Sequence, residues 1–362
     1  MIAVSAQAFP PDRGGIELLM SGLAEALSET GPVRVFADAR AGSKSFDADA
    51  PYEVLRFGGP KPVRRRLKGL AVARARPSAV FADSWKSVEH LRAVSGPVVV
   101  FAHGNEYPED GRKAARIRRA LRGATALVAV SSDTEARSRP MRPAALPCAV
   151  WSPPILPLTP PTDAETAEAE ARWGNGPRLV AMARLTPWKG IDRAIEALAD
   201  LLPDHPGARL VVAGDGSDRA RLEALARDRG AAEAVDFAGW LQGGRKTALL
   251  RTADLFLQPG REVGAEREGY GLAYREAALE GLPSLSGRAG GAVEAVEDGE
   301  TGLIVDGESP AAVSSALRRL VEDAALRARM SEACRRAGAA ALWPARLPAL
   351  LAIAGLSRER AA

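Results

Sequence analysis

The sequence predicts an α/β chain made of two doubly wound, Rossmann-like domains in series. Three observations predict it. Short apolar runs alternate with segments of helical period. That alternation occurs twice and is interrupted once, by "WSPPILPLTPPTD" (151–163), which holds five prolines. Finally, 362 residues suffice for two cores of ordinary size.

In the first half, "IAVSA", "VRVFAD", "EVLRF", "AVFAD", "VVVFAH" and "ALVAVS" read as buried strands. Between the first two lies "IELLMSGLAEALSE", apolar at Ile16, Leu19, Leu23 and Leu27, a helical spacing. Strands alternating with helices imply a parallel sheet covered on both faces. The proline run continues neither a helix nor a central strand, so it reads as a linker. Beyond it, "RLVAMAR", "RLVVAGDG", "AVDFAG", "LFLQPG", "PSLSG" and "GLIVDG" are strands. "IDRAIEALADLL", "SDRARLEALARDRG" and "LAYREAALEG" are helices, and the tail from about Ser309 is Ala/Leu/Arg helix. The expected division is a domain over 1–150, a linker over 151–176, a second domain over 177–343, and a C-terminal helix over 344–362 free to return to the first domain. Two such domains leave a cleft at the carboxyl ends of their strands, where open α/β sheets bind ligands.

Composition narrows the classes. The chain is 46% hydrophobic and 26% charged, with mean hydropathy −0.10. No apolar run approaches the ~20 residues of a membrane helix. The start lacks a basic region followed by an apolar core, so no signal peptide is expected. Cys148 and Cys334 are the only cysteines, which fits a reducing cytosol rather than a disulfide scaffold. His90, His103 and His205 are too scattered for a zinc cluster. Residues 1–150 carry 23 Lys+Arg against 15 Asp+Glu, while the remainder carries 26 against 30. Much of the basic excess lies in 61–76 and 111–123. These are either solvated helix faces or a docking surface for an anionic acceptor or the anionic face of a membrane. Neither run is interleaved with aromatics, so nucleic acid is not an expected partner.

Four stretches carry candidate chemistry. "FPPDRGGIELL" (9–19) sets Gly14 and Gly15 between a strand and a helix N-terminus, where backbone can approach an anion. "ARLTPWKGIDRAIEAL" (183–198) puts Arg184 at a strand end and Lys189 before a helix, two cations suited to a diphosphate. "VVAGDGSD" (211–218) lacks the third glycine of a dinucleotide fingerprint and reads as a structural turn. "EREGYGLAYRE" (266–276) spaces Glu268 and Glu276 eight residues apart. A continuous helix would set them ~12 Å apart. Glycosidase carboxylate pairs lie ~5–5.5 or ~6.5–9.5 Å apart, so a hydrolytic pair is disfavoured. The stretch reads instead as a clamp. Glu268 sits on a loop, the amides of 269–272 face a phosphate, and Glu276 lies two turns into the helix to meet hydroxyls.

"PPDRGGIE", "HGNE" (103–106), "ARLTPWKG", "EGYGLAYREA", "VDFAGWL" (235–241) and "GRAGGAVEAVEDGETGLIVD" (287–306), in that register, resemble the retaining glycosyltransferases of family four, which have the GT-B fold. In detail the chain looks most like the phosphatidylinositol mannosyltransferase branch. The resemblance implies a donor-binding set of Gly14, Gly15, Arg184, Lys189, Leu241, Glu268, Gly269, Tyr270, Gly271, Leu272 and Glu276. It implies that His103 lies beside the donor sugar. Arg184 and Lys189 would neutralise the leaving diphosphate, Glu268 would bind sugar hydroxyls, Glu276 the ribose, and Leu241 would line the base pocket. The implied reaction moves a hexose, mannose from GDP-mannose as first choice, from a GDP- or UDP-linked sugar to a hydroxyl of a glycan, a lipid-linked or a small-molecule acceptor. No cofactor and no metal are expected. The "DAD" frame (47–49) resembles a metal-binding D-x-D but sits in what reads as a solvated loop. The family's Asn-Gly-Val-Asp turn before the linker is replaced here by "VWSPPI". Glu106 is either functional or a loop cap, and the charged "GREVGAERE" before Glu268 has no evident role. Rival readings are a sugar-nucleotide epimerase or phosphorylase of the same fold, a nicotinamide oxidoreductase, or a non-catalytic sugar-nucleotide-binding module.

Overall fold

The computed structural model describes residues 1–107 and 111–356. The chain divides into two compact units, Met1–Leu156 with Leu342–Ala362, and Pro157–Ala341.

The first unit is built on seven parallel strands: β1 (Ile2–Ala6), β2 (Val33–Asp38), β3 (Glu53–Phe57), β4 (Ala79–Ala82), β5 (Val98–Ala102), β6 (Ala126–Ala129) and β7 (Cys148–Val150). Their order is β3-β2-β1-β4-β5-β6-β7. β4, β5 and β6 are buried along their whole length, as strands covered on both faces must be. The helix Gly15–Ser28 turns Leu19, Met20, Leu23 and Leu27 onto one face of the sheet. The helix Trp343–Ile353 adds Trp343, Leu347 and Leu350 to that same core, with the Trp343 ring 6.0 Å from that of Trp151. The helix Trp343–Ile353 therefore completes the first unit. Residues 357–362 of the expected C-terminal helix lie outside the described residues. β7 has no counterpart in the sequence reading. Three residues set among prolines are too short to show a period, and only pairing with β6 at the sheet edge defines them.

The second unit holds β8 (Arg178–Met182), β9 (Arg209–Ala213), β10 (Val235–Gly239), β11 (Leu255–Gln258), β12 (Ser284–Gly287) and β13 (Gly302–Val305), in the order β10-β9-β8-β11-β12-β13. The strand sequence thus runs outward in both directions from β8 and β11, the doubly wound arrangement in which ligands sit beyond the strand ends at the reversal. The helix Ile191–Leu201 buries Ile191, Ala194, Ile195, Leu198 and Leu201, a stripe of period 3.6, into this unit's core.

Two local expectations need correction. Within the proline-rich stretch and its sequel, residues 163–170 form a helix, Asp163–Glu170. The prolines end at Pro161, and Thr162 then caps the helix reciprocally. Thr162 Oγ1 accepts from the Glu165 amide at 3.2 Å, and Glu165 Oε2 accepts from the Thr162 amide at 2.9 Å. The "DAD" frame is likewise helical, in Ser43–Asp49, and not a loop. Asp47 there is held by Arg56 at 2.7 Å, a guanidinium that also bonds the Pro10 carbonyl at 2.6 Å.

Candidate active site

Two loops of the second unit meet where its strand order reverses. The loop after β8 carries Arg184, Trp188 and Lys189. β11 ends at Gln258, and the segment after it carries Glu268. Lys189 Nζ lies 2.6 Å from Glu268 Oε2, and Gln258 Nε2 donates to the same oxygen at 2.9 Å. Lys189 also sits over the Trp188 ring, 4.2 Å from its centroid. The two charged side chains are 14% and 13% exposed, so their attraction is weakly screened while one side still meets solvent. Arg184 is exposed and has no hydrogen-bond or ion-pair partner among the described residues.

The backbone around Glu268 is closely fixed. The Glu268 carbonyl accepts from the Gly291 amide at 2.8 Å. Gly271 precedes the helix Leu272–Leu279 with φ 102°, and a Cβ there would stand 2.5 Å from the Tyr274 ring. Glycine is what the position allows. The Tyr274 hydroxyl donates to the Gln258 carbonyl at 2.6 Å, tying the helix to the end of β11, and burial pushes its phenol far above the ordinary range. Tyr270 is buried, and its hydroxyl accepts from Arg275 Nε at 3.1 Å. The Tyr270 ring therefore belongs to the interior, and a ligand would meet this residue through its backbone. One turn further on, Glu276 is paired with Lys246 Nζ at 2.7 Å. Leu241, half-buried, follows β10 and precedes the helix Gly243–Thr252 that carries Lys246.

Of the sequence candidates, Lys189 and Glu268 are in direct contact. Gly269, Gly271 and Leu272 lead from them to the helix bearing Glu276. Arg184 and Leu241 lie on loops of the same unit, with no hydrogen bond or ion pair to that pair among the described residues. Gln258, Trp188 and Lys246 escaped the sequence reading. Gln258 left a trace, as a polar residue closing the apolar run "LFLQ", whereas a lysine inside "GGRKTALLRT" gives no such signal.

Gly14, Gly15 and His103 belong to the first unit. Gly14 precedes the helix Gly15–Ser28 and its carbonyl accepts from the Leu18 amide at 3.1 Å. His103 Nε2 lies 2.8 Å from the Asp83 carbonyl oxygen. A carbonyl can only accept, so Nε2 carries the proton. Asp83 is buried and accepts from the Gln7 and Ala8 amides at 2.7 and 2.9 Å, fixing the turn after β1. Glu106 proves to be a cap, its carboxylate accepting from the His103 amide at 2.7 Å. The basic stretches are partly consumed inside this unit. Arg64 and Lys68 both bind the buried Asp38, at 2.9 and 3.0 Å. Arg65 and Arg116, from two different helices, share Glu89. Arg66, Arg74, Arg119 and Arg122 stay exposed, and Val63 and Leu67, on the helix that bears Arg66 and Arg74, are 52% and 51% exposed.

Among the described residues no group of three or more His, Cys, Asp or Glu could hold a metal ion. None of their helices is long and apolar enough to cross a membrane.

Residues 163–337 match the family model described as glycosyl transferases group 1. The chain is also 32% identical, over 87% of its own length and 87% of the relative's, to the GDP-mannose-dependent alpha-(1-6)-phosphatidylinositol monomannoside mannosyltransferase of Mycolicibacterium smegmatis. The chain belongs to the group 1 glycosyltransferases. This glycosyltransferase is 28% identical over 90% of both chains to the monoacylated phosphatidylinositol monomannoside mannosyltransferase of Corynebacterium glutamicum. Its fold is GT-B. The crystal structure of Anabaena HepE in complex with UDP superposes with a TM-score of 0.81 at 19% identity, covering 98% of this chain and 100% of that one. WaaG, a glycosyltransferase involved in lipopolysaccharide biosynthesis, gives 0.69 at 18% identity over 98% and 100%. The curated relatives transfer glycosyl groups, so neither an epimerase nor a non-catalytic module is favoured.

Proposed function

We propose that this glycosyltransferase moves mannose from GDP-mannose to a hydroxyl of a phosphatidylinositol-linked glycan, with retention at the anomeric carbon and without a metal ion. The observation that carries the reading is the Lys189–Glu268 pair at the strand reversal of the second unit. A cation and a carboxylate 2.6 Å apart suit a ligand whose diphosphate and sugar hydroxyls adjoin. The donor's phosphates would draw Lys189, and its sugar hydroxyls would take over the acceptor capacity of Glu268. The unpartnered Arg184 and the amides preceding the helix Leu272–Leu279 would complete the charge compensation. Cations and amides already gathered on the bound donor need little further reorganisation as the diphosphate leaves, which is how an active site lowers such a barrier without covalent chemistry. His103 serves the sugar at the reacting centre in this reading, with Nε2 held by the Asp83 carbonyl. The relatives of this glycosyltransferase that use GDP-mannose support the donor choice.

The test is turnover of GDP-mannose with phosphatidylinositol monomannoside as acceptor, in excess EDTA. Lys189→Ala should lower kcat by about 10²–10³-fold with its thermal transition intact. Turnover unchanged by the substitution removes Lys189 from the mechanism, and loss of wild-type turnover in EDTA removes metal independence. For the acceptor we infer a peripheral contact with an anionic bilayer. The exposed Val63 and Leu67 lie four residues apart on a helix beside Arg66 and Arg74, an apolar strip rimmed by cations. Co-sedimentation with vesicles rich in anionic lipid should be lost in the V63S/L67S double variant. Equal sedimentation of the two proteins contradicts the contact.

A further inference from the structure

The charged segment between Gly260 and Glu268 does nothing in the chemistry above, yet its first arginine is among the best-bonded side chains of the second unit. The Arg261 amide donates to the Trp188 carbonyl at 3.0 Å. Its guanidinium grips Asp192 with both forks, Nη1 to Oδ1 at 2.8 Å and Nη2 to Oδ2 at 2.7 Å. Asp192 is 5% exposed, in the first turn of the helix Ile191–Leu201, and Arg221 backs it at 3.3 Å. The residues on either side of Lys189 are thus tied to one arginine. Between them Gly190 runs so close to the other segment that a Cβ would stand 2.1 Å from the Pro259 carbonyl oxygen. From Arg261 the chain folds back on itself. Val263 and Glu266 exchange backbone hydrogen bonds at 3.0 and 3.1 Å, and Arg267 is paired with Glu262. One end of this small hairpin is fastened to the Lys189 loop and the other delivers Glu268.

We propose that Arg261 and Asp192 are positioning residues, a latch that sets the Lys189 loop against the segment bearing Glu268 and so fixes the Lys189–Glu268 pair. The proposal rests on the reading of that pair as the donor's phosphate and sugar contact. Lys189 and Glu268 reach each other from separate loops, and neither loop alone determines their separation. A planar fork bonded to both carboxylate oxygens fixes orientation as well as distance, which lysine cannot reproduce. Charge alone at position 261 is therefore insufficient.

The test measures the pair directly in the full-length chain. Brief labelling with acetic anhydride, read residue by residue by mass spectrometry, reports how far each lysine amine is withheld. Lys246, paired with Glu276 in the same unit, is the internal reference. In Arg261→Lys and Asp192→Asn, Lys189 should label about tenfold faster than in the wild type, approaching Glu268→Gln, while Lys246 keeps its rate. Arg261→Lys should also lower kcat for GDP-mannose by about a hundredfold. In a Lys189→Ala background the same substitution should add little, as coupled residues require. If Arg261→Ala does not fold, the two milder variants carry the test. Wild-type labelling of Lys189 in folded Arg261→Lys and Asp192→Asn overturns the latch, whatever happens to turnover, and so does an increase shared equally by Lys246. Selective labelling of Lys189 with undiminished turnover upholds the latch and instead defeats the reading of Lys189 as a donor contact.

Discussion

Asp192 shows how a residue that does not itself meet the proposed donor can make the second unit's stability depend on acid. Burial pushes its carboxyl up, but the two hydrogen bonds and the charge of Arg261, with Arg221 behind them, outweigh burial and hold it below the usual carboxylate range. A depressed folded value contributes stability above the unfolded value of about 3.9 and loses it as pH falls through the folded one. The difference in melting temperature between wild type and Asp192→Asn should therefore shrink as pH drops from about 5 to about 2. A difference constant across that window contradicts the assignment. The cysteines illustrate the opposite case. Burial pushes the Cys334 thiol up to about 12, and its Sγ lies 3.3 Å from both the Leu282 and the Thr301 carbonyl oxygens, which share its one proton, so it behaves as a packed, inert group.

The element that matters most is the helix Leu272–Leu279, because its start, its stripe and its anchor are all set by identifiable residues. Gly271 gives the left-handed entry, Tyr274 ties the helix to β11, and Ala277 and Ala278 face the interior. Gly271→Ala should lower affinity for GDP and destabilise the unit together, since a Cβ would press on the Tyr274 ring in a backbone region costing about 1–3 kcal/mol. Calorimetric titration with GDP, beside a melting curve, checks both effects, and unchanged affinity and melting contradict the account. This stretch was legible in advance because glycine, carboxylate and helical period coincide within eleven residues. Central strands of the sequence reading such as β4, β5 and β6 were legible for a similar reason, since parallel strands buried on both faces leave unbroken apolar runs. β7 and the helix Asp163–Glu170 were not. The first is defined by a sheet edge outside its own three residues, and the second begins where proline signals still dominate. The Lys246–Glu276 pair was hidden because a lysine on a helix looks the same whether or not a distant carboxylate awaits it.

At the scale of the molecule, the same winding is used twice, and the last described helix completes the first unit instead of extending the second. Trp343 and Leu350 are buried against Trp151 and the helix Gly15–Ser28, so a segment beyond residue 341 stabilises a sheet that ends at Val150. Pro157–Ala341 is thereby left as one continuous unit carrying Lys189, Glu268 and Glu276. The proposed donor grip lies in this unit, at the reversal of strand order and beyond the ends of β8 and β11. The most direct measurement is the crystal structure of the full chain with GDP bound. The diphosphate should lie within hydrogen-bond reach of Lys189 Nζ, the Arg184 guanidinium and the amides of residues 269–272, with the ribose on Glu276. A diphosphate ordered elsewhere, with Lys189 still closed on Glu268, would contradict it.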